Sequence, residues 1–453
     1  MKIIIAGSGK VGRAVAAVLS EEGHDITVID RNPETISLIS NELDVICVEG
    51  NVADPEVLRE AGAGKADLIL AATEKDETNM VCGIAARHLG ASQVIARIRD
   101  PQYLHQTKFL REAMGLSKIV NPEYECAKEI SRILRFPGAA RVDSFSNGSV
   151  EIVEHKIQEN GALDGIILKD LGNRFGTKVL VALIERDGNA LIPNGNTVLK
   201  AGDRLSITGD PLELRKFFIA IGSYRKPVKR VMIMGGGRTA VYLTHLLEES
   251  GIDVTVIERE REKCDELCDQ IPNAHIVWGD ATHSDVLQED GLLTADGFVA
   301  LTGDDGDNII TSLYAQSCNV GKVVTIVNHE HFAEILHHSG LESIVSPKEI
   351  VAQQLARFVR ALSNSAGSSM ETLYRLVDGK VEVLEFLVGK DSACIHIPLK
   401  DLPLRENVLI SALIRGNKSI LPTGTTEIMP GDHAVVVTAA GRLHNLDEIL
   451  RER

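Results

Sequence analysis

The sequence predicts an α/β protein with two Rossmann-like parallel-sheet domains, each followed by a small α+β domain. Three observations predict it. Residues 2–30, KIIIAGSGKVGRAVAAVLSEEGHDITVID, read as apolar strand, glycine turn, helix, second strand and terminal acid. Strand and helix runs then alternate as far as Arg97, the pattern of a parallel sheet covered on both faces. The same order restarts at VKRVMIMGGG (228–237) and runs on to the end of the chain.

Taken in order, Ile3 to Ala6 is a buried strand. The helix after Gly12 carries Val15, Val18 and Leu19 at helical spacing, and Gly23-His24 ends it. Ile26 to Ile29 is the second strand and Pro33 to Leu43 a short helix. Asp44 to Glu49 is the third strand, and Gly50 to Gly62 a loop with a helix start. A strand over Ala66–Ala72, a helix over Thr78–Leu89 and a strand over Gln93–Arg97 follow. The pattern changes near Phe136-Pro137-Gly138. Residues 142–158 alternate, and 179–209 hold β-rich runs around the turn dipeptides Asp187-Gly188 and Asn194-Gly195. A small, mainly antiparallel domain is expected there, with a linker over Ile221–Pro227.

The repeat is nearly in constant register. Gly7 maps to Gly235 and Asp30 to Glu258 at an offset of 228. Gly50 maps to Gly279, Thr73 to Thr302, Asn79 to Asn308 and IPNGNTVLKAGD (192–203) to LPTGTTEIMPGD (421–432), all at 229. This is tandem duplication of a two-domain module. The expected domains are 1–135, 136–222, 228–350 and 365–453.

Composition narrows the class. With 453 residues, 44% hydrophobic and 25% charged, the chain has the mix of a folded globular protein. A formal charge of -16 argues against non-specific nucleic-acid binding as its main task. Lys2 and a short apolar strand predict no secretory leader, and no apolar run approaches the roughly 20 residues of a membrane helix. Seven cysteines, an odd number with no C-x-x-C pair, point to a reducing compartment.

The first glycine loop carries the chemistry. Gly7 permits the tight turn, Gly9 lets a phosphate approach the backbone, and Gly12 lets helix and strand pack closely. The helix start offers unpaired N–H groups to a pyrophosphate. Asp30 would accept from ribose hydroxyls and repel a 2′-phosphate, favouring NAD over NADP. A bare glycine turn with no ligand is the plainer alternative, but strand, helix and acid are all in place. The second loop keeps Gly235 and Gly237, has Ala240 third, and retains Glu258; Arg238 would meet a phosphate or face solvent.

Asn51, Thr73, Glu74, Asn79, Arg97 and Arg99 ring the strand ends of copy one. Asp280, Thr302, Asp304, Asp305, Asn308 and Asn328 do so in copy two. Any one of these is more often a cap or surface charge than a ligand contact. Asn328 in place of Arg99 predicts sites of different charge. Cys264 and Cys268, with His275 and His283 downstream, are better read as free cysteines than as a zinc site. His329, His331, His337 and His338 crowd one stretch, where a histidine-mediated pH or metal response is the less favoured reading. No nucleophile elbow, H-E-x-x-H or Walker lysine is present, so no catalytic residue is assigned. The small domain offers no acid–base partner for a nicotinamide.

The loop GSGKVG, the terminal Asp30, and the segments ATEKDETNM and RIRDPQY resemble the RCK domain, a regulator of potassium conductance. LIPNGNTVLKAGDRLSITGD and ILPTGTTEIMPGDHAVVVT resemble its carboxyl-terminal lobe. Two complete modules resemble the tandem-RCK peripheral subunits of bacterial and archaeal Trk potassium uptake systems. The resemblance implies a non-enzymatic regulator on the cytoplasmic face of the membrane. It implies a homo-oligomer, a tetramer forming a ring of eight modules, on a membrane-embedded Trk-type transporter subunit. It implies NAD or NADH as ligand, with ATP or ADP besides. It places Gly7, Ser8, Gly9, Lys10, Val11, Gly12, Asp30 and Arg31 at the loop and ribose positions. Asn51, Val52, Thr73 and Glu74 fall on the adenine side and Arg99 beyond strand five. Copy two supplies Gly235, Gly237, Arg238, Glu258, Gly279, Asp280, Thr302 and Asn308. Asn51 departs from the acid that Asp280 keeps. Two other readings stand beside this one: an NAD-dependent oxidoreductase, and a nucleotide-sensing cytosolic module without a transporter.

Overall fold

The computed structural model describes residues 1–451 apart from 105, 136–141, 146–149, 224–227, 330–340, 342, 365–369, 378–379, 417, 440–442 and 444. The pattern change at Phe136-Pro137-Gly138, the linker end Tyr224–Pro227, and His331, His337 and His338 lie outside the described residues.

The first large half runs β1 (Lys2–Ala6), α1 (Lys10–Glu21), β2 (Asp25–Asp30), α2 (Pro33–Glu42), β3 (Ile46–Glu49), α3 (Pro55–Glu60), β4 (Leu68–Ala71), α4 (Asp76–Leu89) and β5 (Gln93–Arg97). It closes with α5 (Pro101–Leu104), α6 (Thr107–Ala113), β6 (Lys118–Val120) and α7 (Pro122–Arg135). The strands form one parallel sheet in the order β3-β2-β1-β4-β5-β6. Its central strands β1 and β4 are apolar throughout their buried lengths because helices cover both faces. The strand order reverses between β1 and β4, which opens a crevice above their carboxyl ends.

Local chemistry sets the helix starts. Asn32 and Asp54 accept from Glu34 N and Glu56 N, each with proline at the first helical position. By contrast α1 starts at Gly9 with no side-chain cap. The third strand begins at Ile46, two residues later than expected, because Val45 N bonds back to Leu43 O in a turn. The short β6 and helices α5 to α7 were not expected; a three-residue strand leaves no periodic signal.

The first small half comprises β7 (Val142–Phe145), β8 (Val150–Lys156), α8 (Leu168–Phe175), β9 (Val179–Arg186), β10 (Asn189–Leu191), β11 (Arg204–Gly209) and α9 (Pro211–Ala220). Its sheet is antiparallel, ordered β10-β9-β11-β8-β7. Asp187 and Gly188, both at positive φ, form the β9–β10 turn at the anticipated dipeptide.

The second large half repeats the first: β12 (Arg230–Met234), α10 (Arg238–Glu248), β13 (Asp253–Glu258), α11 (Arg261–Gln270), β14 (His275–Trp278), α12 (Ser284–Glu289), β15 (Gly297–Ala300), α13 (Asp305–Ser317), β16 (Lys322–Ile326) and β17 (Ser343–Val345). Its sheet order β14-β13-β12-β15-β16-β17 is that of the first. After the helix Pro347–Asn364, the second small half adds β18 (Met370–Leu376), β19 (Val381–Leu387), β20 (Val408–Arg415), β21 (Lys418–Ile420) and β22 (His433–Thr438), ordered β18-β19-β22-β20-β21.

Packing gathers the four sheets into two compact units. One joins Met1–Ser131 with Val228–Ala356, the other Arg132–Pro227 with Arg357–Arg453. In the second unit, strand alternation feeds two cores. Ala434 and Val436 of β22 face the core of their own half, while Val435 and Val437 enter a core shared with the first small half. Val150, Ile152, Ala182 and Leu183 meet Tyr374, Val381, Val383 and Ile414 in that shared core. Each buried side chain of this size contributes about 1.5–3 kcal/mol, so the two inner faces depend on each other.

The repeated turn motif has a structural purpose. Asn194 N donates to Thr197 Oγ1 at 3.0 Å, and Thr423 N to Thr426 Oγ1 at 2.9 Å. The motif's last acid, Asp203, is buried and takes both arms of Arg186 at 2.7 Å; Asp432 takes Arg415 at 2.8 and 2.9 Å. Burial works against the Asp203 carboxylate, but Arg186 and the Lys200 N–H outweigh it and hold its pKa below the ordinary value. A group depressed in the folded state contributes stability above its unfolded pKa and loses it as pH falls through the folded value. Asp203→Asn is therefore expected to destabilise the protein by about 2 kcal/mol at pH 7. The gap to wild type should narrow below about pH 4. Urea midpoints measured from pH 7 to pH 3 check both.

Candidate functional site

The site is built where β1 ends. Gly7 has φ of +108° and donates its N–H to Ile29 O at 2.8 Å. A Cβ on Gly7 would lie 2.8 Å from Thr73 N, so only glycine lets the loop run this close to the end of β4. A Cβ on Gly12 would lie 1.9 Å from Gly7 O, which accounts for the third glycine. Nothing lies within 4 Å of a Cβ placed on Gly9, which faces open space at the uncapped start of α1. Arg13 N reaches Gly9 O at 2.9 Å, so the preceding N–H groups of the first turn have no intrahelical acceptor. Gly9 and Lys10 are exposed and Val11 is buried, so Val11 would offer a ligand its backbone only.

Asp30 lies beneath the loop. Its Oδ2 accepts from the Ser8 N–H and the Ser8 hydroxyl, both at 2.7 Å, and its Oδ1 accepts from Asn32 N at 3.0 Å. Burial opposes its charge, but the N–H groups of Ser8, Asn32 and Arg31 and the Ser8 hydroxyl outweigh it, and the pKa lies below its ordinary value. A carboxylate has about four acceptor positions, so Asp30 keeps capacity for ribose hydroxyls. Arg31 beside it is exposed.

The far wall is set by a clamp. Asn79 is fully buried; its Oδ1 accepts from Thr73 N at 2.8 Å and the Thr73 hydroxyl at 2.6 Å, and its Nδ2 donates to Thr73 O and Arg97 O. Asn308 does the same for Thr302, bonding also to Ile326 O. The environment of Asn308 makes it the residue that positions Thr302. Asn51 accepts from Ala53 N at 3.1 Å, and Asp280 from Thr282 N and its hydroxyl at 2.9 and 2.7 Å. Both thus shape the turn after the third strand. The Val52 side chain is buried in the core. Gly50 and Gly279 each donate to the carbonyl of the preceding acid, Asp30 and Glu258, at 2.9 and 3.0 Å.

A charged cluster borders copy one. Arg99 N donates to Asp76 Oδ2 at 2.8 Å, and its guanidinium reaches Glu74 O, Asp76 and Glu123. Arg97 and Arg99 each lie 3.6 Å from Glu123. Burial lowers the Arg97 guanidinium from its ordinary value, Glu123 opposes the shift, and the cations Arg99 and Arg238 add to it. Arg238 of the second loop thus stands close to the rim of the first site.

Copy two has the same frame and different charge. Glu258 is buried; its Oε2 accepts from Gly236 N at 2.8 Å and its Oε1 from Glu260 N at 2.9 Å. Gly237 is the uncapped start of α10. Ile326 and Asn328 replace the two arginines, and Asn328 and His329 bond Asp305. Trp278 stands where copy one has Glu49; its indole donates to Arg259 O at 3.1 Å, and the Arg261 guanidinium lies 4.9 Å from its ring centre. Cys264 is buried, Cys268 exposed, and all seven cysteines are free thiols. Among the described residues no group of three His, Cys, Asp or Glu side chains is placed to hold a metal.

Residues the sequence did not single out tie the copies together. Tyr242 of α10 donates its hydroxyl to Arg99 O at 2.8 Å and accepts from Asn121 Nδ2 at 3.0 Å. Its ring meets Tyr124 edge-on at 5.5 Å. Burial pushes this phenol up to about 12, so it stays a donor. The pairing of Asp76 and Glu123 with the arginines is likewise not marked by spacing, because Arg97 ends β5 and Arg99 lies just beyond it.

The residues present fit a dinucleotide or adenine nucleotide. Both loops give a cradle that a Cβ would fill, open helix N–H groups and an oriented acid. Arg97 Nε and Glu123 Oε2, beside the first cradle, are buried without a hydrogen-bond partner.

Comparison with known proteins agrees with this geometry. The TrkA-N domain model matches residues 3–122 and 231–347, and the TrkA-C domain model 152–221 and 383–451. The chain is 32% identical over 454 residues to a Trk system potassium uptake protein TrkA homolog of Archaeoglobus fulgidus, covering 100% of both. It is 30% identical to the Vibrio alginolyticus Trk system potassium uptake protein TrkA, covering 96% of this chain and 95% of that one. Among solved structures, the GsuK RCK domain aligns at a TM-score of 0.62 and 20% identity, covering 97% of this chain and 92% of that one. The GsuK channel bound to NAD aligns at 0.61 and 19%, covering 97% and 77%. At that identity they establish the fold.

Gly12→Ala is expected to cost about 3 kcal/mol, since the methyl collides with a backbone carbonyl that anchors the turn. Ala240→Gly in the second loop should cost no more than about 1 kcal/mol. Denaturant midpoints of the two variants against wild type check the contrast.

Proposed function

Because the chain belongs to the TrkA family, we propose that it is a nucleotide-responsive regulatory subunit that assembles on a membrane potassium-uptake transporter and gates it. The family consists of regulatory, non-catalytic nucleotide-binding modules. One observation carries the reading for this chain: a glycine cradle with its acid locked in place by Ser8. No helix among the described residues is long and apolar enough to cross a membrane; in this reading the ion path lies in the partner. The chain acts from the cytoplasmic face, peripheral to the membrane.

In this reading Gly7, Ser8, Gly9, Lys10, Val11, Gly12, Asp30 and Arg31 take the pyrophosphate and ribose of NAD or NADH. Asn51, Val52, Thr73 and Glu74 flank the adenine, and Arg99 meets the phosphates. Gly235, Gly237, Arg238, Glu258, Gly279, Asp280 and Thr302 form the second site, held by Asn308, for ATP or ADP. Four chains form a ring of eight modules. Helix N–H groups bind the phosphates and the acids orient the ribose. A nucleotide shifts the ring between two states only by its unequal affinity for them.

Calorimetric titration of the purified protein with NAD, NADH, ATP and ADP tests the assignment. Asp30→Ala is expected to weaken NAD(H) binding by at least tenfold, the loss of one charge-assisted bond. Glu258→Ala should leave that affinity unchanged. Identical effects of both substitutions would reject the two-site assignment. Transporter current recorded under each nucleotide tests gating; equal current under all four would reject it.

A further inference from the structure

We propose that Tyr242 couples the two glycine loops, so that nucleotide bound in one copy changes affinity in the other through the hydroxyl bonded to Arg99 O. The inference rests on the reading that both loops bind nucleotide. Tyr242 sits one turn into α10, the helix whose amino terminus is the second glycine loop. It is 2% exposed and held on three sides, by Arg99 O, Asn121 Nδ2 and the Tyr124 ring.

Its partners belong to the rim of the first site. The Arg99 guanidinium meets Glu74 O, Asp76 and Glu123, and its N–H is fixed by Asp76. Asn121 closes the loop by donating to Arg99 O at 3.3 Å and accepting from Tyr124 N at 2.9 Å. A ligand that draws on Arg99 or on the 73–76 loop therefore shifts the carbonyl on which α10 rests. Linkage makes the effect reciprocal: a nucleotide that repositions α10 acts on Arg99 by the same free energy.

Among the described residues the device is present at one seam only. The residue of α1 in register with Tyr242 is Ala14, which has no hydroxyl. Ser346 and Glu349 follow Val345 where Asn121 and Tyr124 follow Val120. Tyr242 is thus a positioning residue, acting on ligand through Arg99 and the helix.

The test is NADH titration of the full chain, with and without saturating ADP, in wild type, Tyr242→Phe and Glu258→Ala. Phenylalanine keeps the ring packing and deletes the hydroxyl. Wild type is expected to show an NADH affinity changed about fivefold or more by ADP. In Tyr242→Phe the ratio should fall within about twofold of unity, the scale of an uncoupled pair, with each ligand's affinity alone retained. The ratio should likewise fall to near unity in Glu258→Ala. A wild-type ratio of one, an unchanged ratio in Tyr242→Phe, or an ADP effect that persists in Glu258→Ala through direct competition would each overturn the inference alone. Failure of wild type to bind either nucleotide would overturn the functional reading and this coupling with it.

Discussion

The carboxylate that ends the second strand holds the glycine turn in place, in both copies. Asp30 grips Ser8 and Glu258 grips Gly236, each through a backbone N–H at 2.7 to 2.8 Å. Without that bond the turn would have one tether fewer, and the helix behind it would lose its fixed approach to the strand ends. The Gly7–Thr73 contact, the open N–H groups of α1 and the crevice all presuppose it. A residue expected to serve a ligand thus first serves the fold. Its remaining lone pairs are oriented before any ligand arrives, which lowers the ordering cost of binding.

The duplication kept this frame and changed what surrounds it. Both asparagine clamps, both turn-forming residues after the third strand and both carboxylate staples recur with nearly the same distances. The charges do not. Two arginines border copy one; an isoleucine and an asparagine take their places in copy two, while an indole and two arginines stand at its opposite edge. Equal scaffolds with unequal electrostatics favour different ligands, since geometry is shared and discrimination comes from charge and stacking.

Much of this was legible in the residues. The glycine spacing, the strand–helix alternation and the offset repeat give the parallel sheets and their duplication, because each is a pattern with one structural solution; the strand order emerged only with the structure. Asp187-Gly188 and the repeated N/T-G turns were readable for the same reason. The short strand Lys118–Val120 was not, being too brief to show a period. Nor was the clamp role of Asn308, since its partners Thr302 and Ile326 meet it only once the sheet has formed. Tyr242 was invisible because its acceptor lies in the other copy, 143 residues away. Pairing across a repeat leaves no mark on either half alone.

The core shared by the two small halves has a consequence for assembly. Val435 and Val437 share one core with Ile152 and Leu183 of the other small half. Because both halves belong to one chain, their pairing does not depend on concentration as an association of separate subunits would. A single chain also frees each half from having to match itself. Ala240 can stand against Gly12, and Tyr242 against Ala14, because the two surfaces are encoded separately.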